Sequence, residues 1–543
     1  MKTQNVSRTV LAAGVGAVLA ATALLYVPEF VGQGPPPPPG PAERATIAAH
    51  AGAQAALPDL AALITDREKW LRAHPEDDAS WAALGAAYTE RGTRIGDVRD
   101  YPRAERALKR SLAERPAARG NVDAQLGLGA LAGARGDWKS AKEWGERVRK
   151  AEPGRWPAYP VLIDAYNGLG DYEAARKAAE KLEELHAGAV VRARAAQAYR
   201  NRGWREDADA AALDAAALAE TDAEKAASLG RLGDLAWERG EAAEALARYG
   251  SALRLVPDHG PSLAGRARAL AGLGRTDEAL RDWRAALARL PLPEYLLEAG
   301  ELYEAVGLDA EARALYERLR SGTWVRGEVA LGLLEADHGA PAAAVTRLRA
   351  EWARGHRSVA VADALGWALY RAGEPKEALG YAKRATDEGL RSALFTYHLG
   401  EIERALEQTG PARRHLAAAL RINPEFSPLH ARRAEQALTA LGELPDELPK
   451  ELRPEPPAGS SKAAGPKEEA AAGPKEAAEG ATAADGDGGD GDGDAKAPGT
   501  TGTTGASGTA GTGAAGSGTA GSGAAAASGA TASDATASGA ARE

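Results

Sequence analysis

The stretch LGRLGDLAWERGEAAEALARYGSALRLVPDHG (residues 229–260) runs straight into PSLAGRARALAGLGRTDEALRDWRAALARLP (residues 261–291), and the second repeats the first. Leu229, Leu232, Gly233, Ala236, Gly240, Ala245, Tyr249, Ala252 and Pro257 mark one copy. Leu263, Ala267, Leu270, Gly274, Ala279, Trp283, Ala286 and Pro291 mark the next. The offset is about 34 residues, the period of a helical repeat array. Each copy reads as a first helix with an L-G pair, a Gly at the turn, a second helix with a small Ala, and a Pro after it. Gly or Ala at the crossing points lets two helices approach to about 8 to 10 Å. Each pair leaves an apolar face that only the next pair can cover, so the pairs stack into a superhelix whose first helices line the concave side.

The pattern extends both ways. Towards the N-terminus a copy uses Trp81, Leu84, Gly85, Tyr88 and Gly92, then Ala104, Leu108, Ser111 and Pro116, with about seven extra residues, Thr93 to Arg99, predicted to bulge as a surface loop. The next runs through Gln125, Leu128, Gly129, Ala132, Gly136, Asp137, Trp138, Ala141 and Pro153, and the third through Tyr159, Leu162, Tyr166, Gly170, Asp171, Tyr172 and Ala175. In both, the turn Gly takes a left-handed backbone and the following Asp caps the second helix. A weaker copy surrounds Tyr199, Gly203 and Ala208. Beyond Pro291 come Leu296, Gly300, Tyr303, Gly307, Ala312 and Tyr316, then Leu331, Gly332, Gly339, Ala344 and Leu348. The last two copies use Leu365, Gly366, Leu369, Gly373 and Ala378, then Leu399, Gly400, Ala412, Leu416, Ala419 and Pro424. A helix from Leu57 to His74 reads as an unpaired second helix at one end, and a helix near His430 to Leu441 as a cap at the other.

With this period, the W-x-x-L-G-x-x-Y pattern at Trp81, Leu84, Gly85 and Tyr88 resembles the tetratricopeptide repeat (TPR). The segment Asn423-Pro424-Glu425-Phe426-Ser427-Pro428-Leu429-His430 is similar to one that ends the last repeat of actinobacterial membrane-anchored or secreted TPR proteins. The resemblance implies an all-α, right-handed α-solenoid of about ten TPR helix pairs over residues 57–442. It further implies a non-enzymatic protein-protein interaction scaffold that binds an extended or helical partner segment in its concave groove. The alternative it implies is a membrane-anchored TPR chaperone for secretion or cofactor-protein assembly.

Placing each first helix on the family pattern turns Asn167, Gln197, Arg200, Asn201, Asp234, Trp237, Glu301, Glu304, Asp363, Trp367, Tyr370, Arg371, Tyr397, Glu401 and Arg404 towards the concave side. Aromatics and Arg are what binding hot spots favour, although Trp237 and Trp367 also suit packing between neighbouring repeats. Trp367, Tyr370 and Arg371 share one helix turn, and Tyr397, Glu401 and Arg404 recur one first helix later, so the two sets should be neighbours. A carboxylate clamp of the kind some TPR domains carry is not recoverable, because Arg200 and Asn201 are adjacent in one helix.

The ends read differently. Residues 1–9 carry Lys2 and Arg8 and no acid, and 10–27 form an uninterrupted apolar run of roughly the length that spans a bilayer. Ala21-Thr22-Ala23 offers a signal-peptide site, while Leu24, Leu25 and Val27 continue the run as an uncut anchor would. Either reading places the N-terminus in the cytoplasm and exports the rest. Residues 28–56, with prolines 35–39, read as a stiff linker. From 443 to 543 the tail is rich in Pro, Ala, Gly, Ser, Thr and acids, a composition that cannot bury enough apolar surface to fold.

Composition excludes several chemistries. With no cysteine there is no disulfide, thiolate metal site or Cys nucleophile, and a net charge of −9 without a basic stripe argues against nucleic acid. Asp490, Asp492 and Asp494 alternate with Gly but lack the Gly and Glu that complete a calcium loop. The glycines in 127–132 serve helix packing, with no strand before them to make a dinucleotide fingerprint. The His are scattered, and no catalytic constellation, metal site or cofactor motif stands out. The expected partners are a protein or peptide segment and, through 10–27, a membrane.

Overall fold

A computed structural model describes residues 38–442, and no strand occurs among them. Twenty-three α-helices follow one another in pairs. The first pairs are α1–α2 (Pro41–Ala51, Leu57–Ala73), α3–α4 (Asp78–Ile95, Asp100–Glu114), α5–α6 (Val122–Ala134, Trp138–Ala151) and α7–α8 (Ala158–Leu169, Tyr172–Leu185). Next come α9–α10 (Ala189–Asn201, Arg205–Leu218), α11–α12 (Asp222–Glu238, Ala242–Leu255), α13–α14 (Gly260–Gly272, Thr276–Arg289) and α15–α16 (Pro293–Ala305, Asp309–Ser321). The last are α17–α18 (Glu328–Asp337, Pro341–Arg354), α19–α20 (Val359–Arg371, Pro375–Asp387) and α21–α22 (Ala393–Ala405, Thr409–Ile422), closed by the single helix α23 (His430–Ala440).

One alanine in each second helix from α4 onward sits where the helices cross. Ala104, Ala141, Ala175, Ala208, Ala245, Ala279, Ala312, Ala344, Ala378 and Ala412 are all 2% exposed or less. On the first helix, the Gly of the L-G pair makes room for a large side chain of the second. A methyl group at Gly233 would stand 2.6 Å from the Tyr249 ring, one at Gly332 would stand 2.6 Å from Leu348, and one at Gly300 would overlap Tyr316. Tyr249 and Leu348 are 0% exposed as a result, and each such burial contributes about 2 kcal/mol. The turns follow the expected chemistry, with Asp137 and Asp171 accepting from the backbone N–H of Ser140 and Ala174 at 3.1 Å.

The structure corrects one reading at the N-terminal end and narrows another. The segment 28–56, taken as linker, contains α1, so Leu57–Ala73 is the partner of a helix and the folded array begins at Pro41 rather than 57. Pro41 suits a first helical position, the alanines after it are strong helix formers, Ala45 and Ala48 are buried, and Gly52 closes the helix left-handed. The prolines just upstream hid this helix. The array therefore has eleven pairs among the described residues, not about ten. Of Thr93 to Arg99, the first three residues extend α3 to Ile95, about a turn of the insertion, and Gly96 to Arg99 form the surface turn before α4. The segments 1–9 and 10–27, most of the proline run, and the tail 443–543 lie outside the described residues. Among the described residues no helix is long and apolar enough to cross a membrane.

Successive turns of the superhelix touch. The Arg357 N–H donates to the Gly168 carbonyl at 2.9 Å, the Val359 N–H to the Tyr172 hydroxyl at 2.9 Å, and the Asn423 side-chain amide to the Trp237 carbonyl at 2.8 Å. The last two pairs are 187 and 186 residues apart. That is roughly five and a half repeats per turn. Trp138 adds a ring contact to His356 at 5.6 Å and lies under the Arg326 guanidinium at 5.0 Å.

Gly170 and Gly307 separate the seam from the backbone cost of a turn, since their φ values are 74° and 79°. No atom lies within 4 Å of where a Cβ would stand at Gly307, whereas a Cβ at Gly170 would overlap the Arg357 carbonyl oxygen. Gly307→Ala is expected to cost about 1 to 2 kcal/mol through its backbone alone. Gly170→Ala should cost more and part the turns, lowering the melting temperature further and raising the radius of gyration in small-angle scattering. Identical behaviour of the two variants would contradict the seam.

Candidate functional site

The closed turns surround a cavity of about 2350 Å³, lined mainly by first helices from α3 to α21 and by the segment before α23. Six of the expected groove residues, Asn167, Gln197, Arg200, Asn201, Trp237 and Glu301, face it. Three of them form a side-chain relay across neighbouring repeats. The Asn201 amide N–H donates to the Asn167 carbonyl oxygen at 3.1 Å, and that of Gln197 donates to the Asn201 carbonyl oxygen at 2.8 Å. The Asn167 amide nitrogen and the Gln197 carbonyl oxygen have no protein partner among the described residues. Beside them Arg200 donates to both Glu238 oxygens at 2.5 to 2.8 Å. Burial opposes its charge, but Glu238 outweighs that and holds its pKa above the usual arginine range.

The second expected set meets at the C-terminal end of the same line of first helices. Trp367, Tyr370, Arg371, Tyr397, Glu401 and Arg404 line one concavity of about 450 Å³, together with Arg433, Gln436 and Ala437 of α23. Not all of them are open to a partner. Trp367 is 2% exposed, stacks on His398 at 4.0 Å and donates from its indole N–H to Asp337 at 3.1 Å, which also takes Arg371 at 2.6 Å. Tyr397 and Glu401 are likewise buried, Glu401 beneath Arg404 at 2.7 Å. Exposure remains at Arg371, Arg404, Arg433 and Gln436, and in part at Tyr370. Sequence reasoning missed Arg433 and Gln436 because α23 was taken only as a cap. The spacing His430, Arg433, Ala437 puts one face of that helix against the concavity and was the signal available.

Three expected groove residues lie in neither space. Asp234 and Glu304 accept from the hydroxyls of Tyr249 and Tyr316 at 2.8 Å, tying first helix to second. Asp363 is 2% exposed and holds the His398 ring nitrogen at 2.9 Å.

Charge inside the cavity is uneven. Helix α15 presents Glu294, Glu298 and Glu301 at helical spacing, and only Glu298 has a close cation, Arg268. Burial first, then the carboxylates of Glu298, Asp337 and Glu304, push the Glu301 carboxyl up to about 8. Its folded-state pKa is therefore raised above the ordinary 4.5, so the native state binds the extra proton and loses stability as pH rises through that window. Glu301→Gln should melt like the wild type near pH 4.5 and increasingly above it by pH 8.5. A difference that is constant with pH would place Glu301 in bulk water. Among the described residues no group of three or more His, Asp and Glu is set to hold a metal ion.

Fold and cavity together define an all-α solenoid of paired helices wound around a channel. No family model and no curated protein matches the chain. Among solved structures, the APC/C hetero-tetramer Cut9-Hcn1 is similar at 14% identity over 71% of this chain and 82% of that one, with a TM-score of 0.36. A tetratricopeptide repeat protein from Parabacteroides merdae is similar at 19% identity over 47% of this chain and 98% of that one, TM-score 0.29. Yeast Tom70 is similar at 13% identity over 66% of this chain and 96% of that one, TM-score 0.27. At these scores none of them bears on what this chain binds.

Proposed function

We propose that the array is a non-catalytic protein-interaction scaffold that takes an extended polypeptide segment into its channel, with the C-terminal concavity as a side-chain pocket. The observation that supports this most is the amide relay of Asn167, Gln197 and Asn201, whose free N–H and C=O groups suit the alternating donors and acceptors of a partner backbone. Arg433 and Tyr370 would add a cationic and an aromatic contact at the pocket. In this reading the apolar segment 10–27 tethers the array to the outer face of a membrane.

The partner is to be recovered by pull-down from solubilised membranes with the full chain as bait. Against that partner, Asn167→Ala with Asn201→Ala should weaken binding by about 1 to 3 kcal/mol, the scale of two or three lost hydrogen bonds. Tyr370→Ala with Arg433→Ala should weaken it by about 2 kcal/mol while helicity stays unchanged. Undiminished affinity in both pairs would move the site out of the channel. For topology, protease added to intact cells with a permeable wall should clip the tail beyond Glu443, and protection until lysis would place the array inside.

A further inference from the structure

Helix α18 ends by folding the chain back over its own last turn. Gly355 takes a left-handed backbone at φ 104°, and the backbone N–H of His356 then donates to the Glu351 carbonyl at 3.3 Å. That return sets the imidazole beside the Glu351 carboxylate, whose Oε1 stands 2.8 Å from ring Nδ1 while its Oε2 takes Arg354. A carboxylate only accepts, so Nδ1 carries the ring proton and Nε2 is left as an acceptor. Two residues on, the Ser358 hydroxyl lies 3.2 Å from that Nε2 and donates to it. Glu351, His356 and Ser358 thus form one line from carboxylate through imidazole to hydroxyl, and all three border the channel.

The line is held from outside. Arg357 and Val359, on either side of Ser358, donate their backbone N–H groups to Gly168 and Tyr172 of the neighbouring turn, and Trp138 packs against the imidazole at 5.6 Å. Ser358 is also the N-cap of α19, where its Oγ accepts from the Val361 N–H at 3.5 Å. A cap needs only that acceptor, not a histidine with a carboxylate behind it. In the first turn of the same helix the Ala360 N–H has no acceptor among the described residues, and Ala360 too borders the channel. It is a donor available to an oxyanion forming at a carbonyl bound beside Ser358. Burial, then Arg326 and Arg354, push the His356 pKa down to about 4, so the ring is neutral and Nε2 open through the neutral pH range.

We propose that Ser358 is an acyl acceptor, a nucleophile that takes the acyl group of an ester entering the channel, with His356 as its base and Glu351 orienting the ring. Oγ bonds to the carbonyl carbon as its proton passes to Nε2. The ester C–O bond then breaks, and the leaving oxygen takes that proton from the imidazolium. Ser358 ends as an oxygen ester, the alcohol is released, and the imidazole is neutral again. One transfer per chain modifies the scaffold and requires no turnover.

The probe is p-nitrophenyl acetate, mixed with the full chain while nitrophenolate release is followed and the acetylated residue is located by mass spectrometry. About one nitrophenolate per chain should appear in a burst, with the acetyl group on the tryptic peptide that begins at Ser358. Ser358→Asp keeps a capping oxygen, so helicity and melting temperature should hold while burst and label disappear. His356→Gln should slow the burst by about 10² to 10⁴-fold. The wild-type burst rate should be level between about pH 6 and pH 8, where the ring is neutral throughout. A rate that climbs about tenfold per pH unit across that range would mean that hydroxide, not His356, removes the proton, and would overturn the site. A burst undiminished in Ser358→Asp, or acetyl groups on lysines alone, would overturn it as well.

Discussion

The distance of closest approach between the two helices of a pair governs this molecule. A buried Ala on one helix and the L-G glycine on the other set that distance, and the large residue beside them, Tyr249, Tyr316, Leu348 or Leu416, fills what remains. Because the ten alanines are buried alike, each pair leaves nearly the same rotation to the next, and the rotations accumulate into a regular coil. A bulkier residue at any one crossing would change the angle at that point and misplace every repeat beyond it.

Closure of the coil changes the energetics. In an open solenoid each repeat feels only its neighbours, so stability is close to a sum of local terms. Here Gly168 and Tyr172 meet Arg357 and Val359, and Trp237 meets Asn423, so repeats far apart in sequence stabilise one another. The same closure surrounds the first helices with protein on several sides. Fewer waters screen charges there, and Coulomb terms gain weight. The raised Glu301 pKa and the firm Arg200–Glu238 pair are two results of that confinement.

The helix pairs were legible in the sequence because their determinants are local: small residues at fixed spacing, a turn glycine, and in some repeats a capping Asp directly after it. Helix α1 was lost because a proline run beside it outweighed an alanine-rich stretch that carries no L-G pair. The candidate site was legible only in part. Periodicity told which residues of a first helix turn inward, so the six residues of the C-terminal concavity were found together. It could not tell which inward residues are already engaged: Trp367 on Asp337 and His398, Asp363 on His398, Asp234 and Glu304 on tyrosines of the second helices. Nor could it show the seam, since every repeat has a turn glycine and nothing in the sequence separates Gly170, which meets another turn, from Gly307, which meets none.

The seam would also limit how the proposed partner segment reaches the channel. With the turns in contact, entry is along the axis, which requires a partner with a free end or a long unfolded stretch. Entry from the side requires breaking the three hydrogen bonds and the Trp138 contacts that join the turns. Each such bond is worth only about 1 kcal/mol net, so the seam is weak compared with the packing inside a pair. A superhelix whose pairs are rigid and whose turns are loosely joined can open without unfolding any repeat, which is the property that a scaffold closing around an internal stretch of a partner needs.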